Sequence, residues 1–429
     1  MNRYQMLGQL GDGSFGVVSK AQLSGTDEIV AVKKMKQKFT TWEECLQLRE
    51  VQSLRKIQHP NIIKLREAVR ENNELFLIFE YMEQNVFQIQ RQRAEKMGNT
   101  ASMFSDREIR SIMCQTLLGL AVVHKGGFMH RDLKPENLLT KGDLVKIADF
   151  GLAKEIRSRP PFTEYVSTRW YRAPEIILHS THYNSPIDIW ACGVILVELF
   201  LNRPLFPGSS DADQLFRICS VLGTPSPTEW EEGHALARRM NIRFPSVAVT
   251  PLRQLLPHAS PAAIDLMEQM LKFNPSDRPT SSQCLQHAFF TNDPSDPEYN
   301  GQTSSLYAGI ATGEQHNPFF TASTLLSQNT PLASGSSGNG TSSKSVRKPS
   351  GSASLARGIA GISTDNSKGA GNGKQSAART QEGNPTPSNY NSNPNVVRSV
   401  AAATNGGSTN RVTSSSSNVS KAESDEFNF

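Results

Sequence analysis

The chain has 429 residues, 37% of them hydrophobic, and sets 45 basic against 40 acidic side chains for a formal charge of +5. A surplus this small, spread along the chain, excludes no enzyme class but argues against a nucleic-acid partner. The longest apolar stretch, residues 187–201, contains Asp188 and Glu198 and is too short for a bilayer; with no signal-like segment before the first strand pattern, a soluble intracellular chain without membrane insertion is expected, in the cytoplasm.

Composition shifts once. Up to Phe290 apolar runs alternate with turns, as in a globular enzyme large enough to split into lobes. Beyond Asp293 the chain is rich in Ser, Asn, Gly and Thr, which bury too little apolar surface to offset backbone entropy, so a disordered tail is expected. The five cysteines (Cys45, Cys114, Cys192, Cys219, Cys284) are isolated and without a C-x-x-C pair, which reads as buried thiols in a reducing compartment.

In chain order, residues 4–7 lead into Gly11-Asp12-Gly13-Ser14-Phe15-Gly16-Val17-Val18. A G-x-G-x-x-G loop also occurs in dinucleotide folds. Here the third glycine runs into a β-branched pair and no βαβ crossover follows, which favours a hairpin flap over phosphates. Missing Cβ atoms let backbone N–H groups approach phosphate oxygens. Residues 29–33 read as a strand ending in Lys33, either a solvated edge charge or a phosphate ligand. A helix is predicted through Trp42, Cys45, Leu48, Val51, Leu54 and Ile57. On it Glu50 is placed to meet Lys33, while Arg49, about 100° around, points elsewhere. His59-Pro60-Asn61 is a helix-ending turn, residues 62–65 begin a strand, and residues 75–79 form a wholly apolar strand. Glu80-Tyr81-Met82 leaves it with backbone groups suited to an adenine edge. Ser105 and Glu108 form a capping box for a helix to His124 whose apolar face is core.

Residues 130–137, His-Arg-Asp-Leu-Lys-Pro-Glu-Asn, carry a carboxylate, an ammonium and an amide at short fixed spacing. Phosphoryl transfer from a nucleotide needs a carboxylate to orient the attacking hydroxyl and take its proton, a cation for the moving phosphoryl, and an oxygen for a metal. Asp132, Lys134 and Asn137 suit these roles, and Asp149 of Asp149-Phe150-Gly151 supplies a second metal ligand. Further on lie Thr163-Glu164-Tyr165, Thr168 and residues 169–175, Arg-Trp-Tyr-Arg-Ala-Pro-Glu. Helices are predicted over 186–201, 211–222, 261–271 and 281–287, with a Pro-rich surface excursion from Pro225 to Pro257.

These motifs, in this order over residues 4–290, resemble the eukaryotic protein kinases: the glycine loop, residues 30–33, Glu50, 130–132, Asn137, 149–151, 173–175 and Arg278 all match. The resemblance implies an α+β bilobal fold: a small β-rich N-lobe and hinge (1–82), a larger helical C-lobe (83–290), and the disordered tail (291–429). It implies ATP and Mg²⁺ in the cleft. The nucleotide would touch Leu10, Gly11, Asp12, Gly13, Ser14, Phe15, Gly16, Val17, Val18, Ala31, Lys33, Glu50, Phe79, Glu80, Met82 and Leu139. Asn137 and Asp149 would hold the metal, and Thr168 would bond the catalytic aspartate and lysine. Residues 134–137 mark a serine/threonine enzyme. Residues 169–175 and the excursion after Pro204 place the resemblance in the CMGC branch of cyclin-dependent and MAP kinases, where an arginine like Arg172 favours proline after the phosphorylated residue.

Residues 48–51 and 59–65 read most like the RCK kinases: the male-germ-cell-associated, intestinal-cell and MAPK/MAK/MRK-overlapping relatives. The polar stretch Arg91 to Phe104 departs from the expected pattern. In such kinases the Thr163-Glu164-Tyr165 motif is phosphorylated, the threonine by an upstream CDK-like kinase. Thr163 phosphate would be met by Arg49, Arg131 and Lys154, and Tyr165 phosphate by Arg169 and Arg172; the other reading of these cations is a solvated surface. The resemblance further implies protein substrates, a monomer, and a part in limiting cilium or flagellum length, with nucleus as another location. Two other readings stand beside it: an ERK-type MAP kinase, and a pseudokinase scaffold, against which Lys33, Asp132, Asn137 and Asp149 are all retained. In the tail, residues 347–350 and Thr386-Pro387 resemble phosphorylation sites, as short strings in Ser-rich segments often do.

Overall fold

The computed structural model describes residues 1–97, 104–158, 168–291 and 425–428. Three strands open the lobe, β1 (Tyr4–Asp12), β2 (Gly16–Leu23) with its Val17-Val18 pair, and β3 (Ile29–Lys38) with its Ile29-Val30-Ala31-Val32 run, paired antiparallel in sequence order. The period of two along β3 sorts its faces. Val30 and Val32 bury with Ala21, Val69 and Ile78, while Ala31 and Lys33 face the interlobe cleft. The single helix predicted next is two: α1 (Trp42–Leu46), capped by the Thr41 hydroxyl, and α2 (Arg49–Lys56). Leu48 sits between them with extended backbone (ψ 132°), which breaks the helical hydrogen-bond run. β4 (Leu65–Glu71) and β5 (Glu74–Glu80) complete the lobe, β5 pairing with β3 on one side and β4 on the other.

Past the hinge come β6 (Gln84–Asn85), α3 (Val86–Met97) and α4 (Asp106–Lys125). The polar stretch after Arg91 thus continues α3 to Met97. The predicted capping box is present at Ser105 and Glu108, and Glu108 also binds Arg93. β7 (Phe128–Met129), β8 (Leu138–Lys141), β9 (Leu144–Ile147) and β10 (Lys154–Glu155) are short pairs that frame the motif residues: β6–β8–β9 form one sheet and β7–β10 another.

The remaining helices are α5 (Pro174–Ile177), α6 (Pro186–Leu201), α7 (Asp211–Leu222), α8 (Glu231–Arg239), α9 (Leu252–Leu255), α10 (Pro261–Met270), α11 (Ser281–Leu285) and α12 (Ala288–Thr291). α6 is apolar but for Asp188 and Glu198 and is buried almost end to end, as a helix at the centre of a lobe must be. The Pro-rich connection expected to be mere surface excursion carries α8 and α9, whose Leu236, Ala237 and Leu252 are buried. All five cysteines are buried thiols outside any disulfide. No described helix is long and apolar enough to cross a membrane.

Of the tail expected to be disordered from residue 291, Thr291 closes α12, and residues 425–428 form a strand, β11, against β4. The first sheet therefore runs β1-β2-β3-β5-β4-β11. The rest of that tail, and the phosphorylatable Thr163 and Tyr165, lie outside the described residues.

Candidate active site

Between sheet and helices lies a cavity of about 600 Å³. Its roof is the β1–β2 turn, residues 10–16, with Val18 and Ala31; its floor is Leu139, Ala148 and Leu152; Phe79, Glu80 and Met82 of the hinge close the back. At Gly16 a methyl group would sit 2.6 Å from the Lys34 carbonyl oxygen, so close approach of β2 to β3 demands a residue without Cβ. The Phe15 ring tips inward against Gly151, joining the loop to the Asp-Phe-Gly segment.

Of the nucleotide contacts expected from the motifs, Val17 alone does not line the cavity. It pairs with Lys34 while its neighbour Val18 pairs with Lys33, and strand alternation turns the two to opposite faces. Ile63, Glu83, Gln84, Asn85, Gln88, Glu136, Ala148 and Leu152 line it without having been anticipated. Glu136, inside the 130–137 string, and Ala148 and Leu152, flanking Asp149-Phe150-Gly151, carried a signal in their position.

At the cleft's inner end Lys33 Nζ lies 2.7 and 2.9 Å from the two Glu50 oxygens and 3.2 Å from Asp149 Oδ1. Burial works against the ammonium, but Glu50 and Asp149 together lift it above the ordinary lysine range. Burial pushes the Glu50 carboxyl up and Lys33 pulls it back; for Asp149 burial is outweighed by Lys33, and its carboxyl is held low. The solvated-edge alternative for Lys33 is excluded by its burial, 7% exposed.

Across the cavity, Lys134 Nζ stands 2.8 Å from Asp132 Oδ2. The Asn137 amide N–H group donates to the Asp132 carbonyl (2.8 Å) and to its Oδ2 (3.2 Å), which aims the carboxylate and leaves the Asn137 amide oxygen as an acceptor. Both loops are strained: Arg131 (φ 76°) in this one and Asp149 (φ 61°) in the one after β9 are left-handed. What holds Arg131 there is Asp188 at the start of α6. Its carboxylate accepts the His130 and Arg131 backbone N–H groups, each at 2.8 Å, and lies 2.9 Å from His124 Nε2. Burial opposes that charge, yet these bonds keep the carboxyl low. His130 in turn reaches the Ala148 carbonyl (3.0 Å) and meets the Phe150 ring edge-on at 4.8 Å, so the two loops are tied together. Sequence reading placed Asp188 on its helix but missed this role.

Thr168 is exposed and borders a small cleft with Arg131, Asp132 and Arg172. This sets Thr168 beside Asp132, whose Oδ2 holds Lys134. Behind it, Glu175 and Arg278 form a buried two-pronged ion pair at 2.7 and 2.8 Å. The Tyr171 hydroxyl donates to Glu198 of α6 at 2.9 Å. Arg49 is exposed while Glu50 beside it is buried, as the helical turn required. Burial and then the charges of Arg131 and Arg49 depress the Lys154 ammonium, which places these three cations together. Arg169 binds Asp211 (3.2 Å) and the Ser209 carbonyl (2.9 Å).

The donors present fit a nucleotide with a hard divalent ion. Asp149 and Asn137 offer oxygen atoms to one cavity, and such an ion takes its other ligands from water and phosphate. Among the described residues no cluster of His, Cys, Asp and Glu would hold a metal by itself.

Sequence comparison with known proteins agrees with this reading of the site. The sequence model of the protein kinase domain covers residues 4–290. Serine/threonine-protein kinase MAK of Homo sapiens is 54% identical over 291 residues, 68% of this chain and 46% of its own length. Serine/threonine-protein kinase ICK of Mus musculus is 54% identical over 291 residues, 68% of this chain and 45% of its own. Cyclin-dependent kinase F-3 of Oryza sativa subsp. japonica is 53% identical over 290 residues, covering 68% and 65%. The chain spans about half the length of the mammalian relatives it matches. These similarities agree with the RCK resemblance carried by residues 48–51 and 59–65, and the domain match, extending over most of the sequence, establishes that the chain belongs to the protein kinase family.

Proposed function

We propose that the chain is an ATP-dependent protein serine/threonine kinase, with Mg²⁺ as its metal. The observation that carries this reading is the convergence on one cavity of the Lys33–Glu50–Asp149 cluster and the Asp132–Lys134–Asn137 cluster. Lys33, steadied by Glu50, would hold the α and β phosphates. Asp132 would orient the substrate hydroxyl and take its proton, and Lys134 would balance charge on the moving phosphoryl. Asp149 and Asn137 would hold the metal, which would supply neutralisation of phosphate charge when bound. The Phe15–Gly151 contact would help keep water from the cleft.

Arg172 in the small cleft beside Asp132 supports a preference for proline after the phosphorylated residue. The clustered charges of Arg49, Arg131 and Lys154 support activation by phosphate on Thr163, added by an upstream CDK-like kinase; an anion among them would relieve the repulsion that depresses Lys154. Action as a monomer, a location in cytoplasm, cilium or nucleus, and a part in cilium length rest on the RCK resemblance, and imaging of the tagged chain tests them. A labelled-ATP assay on a degenerate peptide library tests the activity itself. Transfer to Ser and Thr with proline following is expected, reduced at least tenfold in Thr163→Ala. Transfer that ignores the following residue, or is unchanged in Thr163→Ala, would overturn these finer assignments.

A further inference from the structure

The open edge of the N-lobe sheet is occupied by a strand from far along the same chain. β11 runs antiparallel to β4, with Asp425 opposite Arg70, Glu426 opposite Val69, Phe427 opposite Ala68 and Asn428 opposite Glu67. Since β5 holds the other side of β4, this pairing turns an edge strand into an interior one. An edge leaves a row of N–H and C=O groups that recruit another strand.

β4 is built to receive one. Leu65, Ala68 and Val69 are buried, and β5 pairs along its other side, which anchors its backbone. Glu67, 5% exposed, accepts hydrogen bonds from Arg3 and the Tyr4 hydroxyl, tying β4 to the start of β1. Leu65 and Ala68 share a hydrophobic cluster with Val51 and Leu54 of α2, the helix that carries Glu50.

We infer that residues 425–428 form a cis-acting edge strand that docks on β4 and, through the cluster shared with α2, steadies the helix that positions Glu50 against Lys33. The occupant is this chain's own segment, because covalent connection raises its local concentration above that of any second copy at ordinary protein concentrations. The contact gives residues outside the catalytic lobes a direct hold on the geometry of the nucleotide cleft. It is independent of the phosphoryl-transfer reading, since its readout is backbone exchange.

The test is amide hydrogen exchange on the full chain and on the double variant Glu426→Pro/Phe427→Pro, which removes two successive backbone donors from β11. Exchange in β4 should be at least tenfold faster in the variant, and several-fold faster in α2, while β8 and β9 stay unchanged and report an intact fold. A synthetic peptide of residues 420–428 should slow β4 exchange in the variant again, and a scrambled one should not. Equal β4 exchange in the two proteins would overturn the docking. Protection that disappears on tenfold dilution of the full chain would assign the strand to a second copy and overturn the cis contact. Altered β4 with unaltered α2 would overturn the coupling to Glu50.

Discussion

Glu198→Gln should make the protein more stable at neutral and alkaline pH and leave it unchanged in acid. Glu198 lies within α6, 2% exposed, accepting the Tyr171 hydroxyl at 2.9 Å. Burial is the largest influence on its carboxyl; the Tyr171 bond opposes it, and Glu136 adds repulsion, for a value raised from 4.5 to about 7. Below pH 4.5 both folded and unfolded forms hold the proton, and the group's full contribution to stability is present. Between 4.5 and 7 the unfolded chain releases the proton first, so the folded state binds more protons and stability falls as pH rises. At 1.36 kcal/mol per pH unit the loss is about 3 kcal/mol, complete above the folded value. Glutamine keeps an acceptor oxygen for Tyr171 and carries no charge. Urea unfolding followed by tryptophan fluorescence at pH 5, 6, 7 and 8 would show the curves converging in acid and separating by about 3 kcal/mol at pH 8. Parallel curves would refute the placement of a buried, proton-retaining carboxyl between α6 and the segment that follows Thr168.

Three further outcomes follow from the geometry. Arg278→Ala removes both prongs from buried Glu175 together with bonds to the Lys272, Pro186 and Phe273 carbonyls, and should cost about 3–5 kcal/mol in urea unfolding. Adding Glu175→Leu should recover part of that loss, because the stranded charge goes with it. Gly16→Ala must push β2 from β3 at the Lys34 carbonyl, and should destabilise by about 1–3 kcal/mol while raising KM for ATP. Lys33→Met should lower kcat by about 10²–10³-fold, measured with labelled ATP, because the positioned ammonium is lost from Glu50 and Asp149.

The parts of the site legible in the sequence are those whose chemistry is packed into short strings. Asp132, Lys134 and Asn137 lie within six residues and meet through a tight turn, so spacing alone conveys their contact. Lys33 and Glu50 were legible as an ordered pair of strand and helix residues, and their contact followed from the fold. Asp188 was not: its carboxylate serves backbone N–H groups, and such a bond leaves no pattern at either end. The break at Leu48 escaped notice because the apolar period continues across it while the backbone does not. Val17 shows the reverse limit, a motif position whose side chain the strand turns away from the cleft. β11 lies in a segment whose composition signals no order, and its seat depends on an edge that exists only once the N-lobe sheet has formed.

Phosphate transfer from labelled ATP to a peptide substrate, compared between the wild-type chain and Asp132→Asn with nucleotide binding measured alongside, tests the central claim most directly. Removal of the positioned base should lower turnover by about 10²–10⁴-fold and leave ATP affinity nearly unchanged. A variant that still turns over at the wild-type rate would contradict the account.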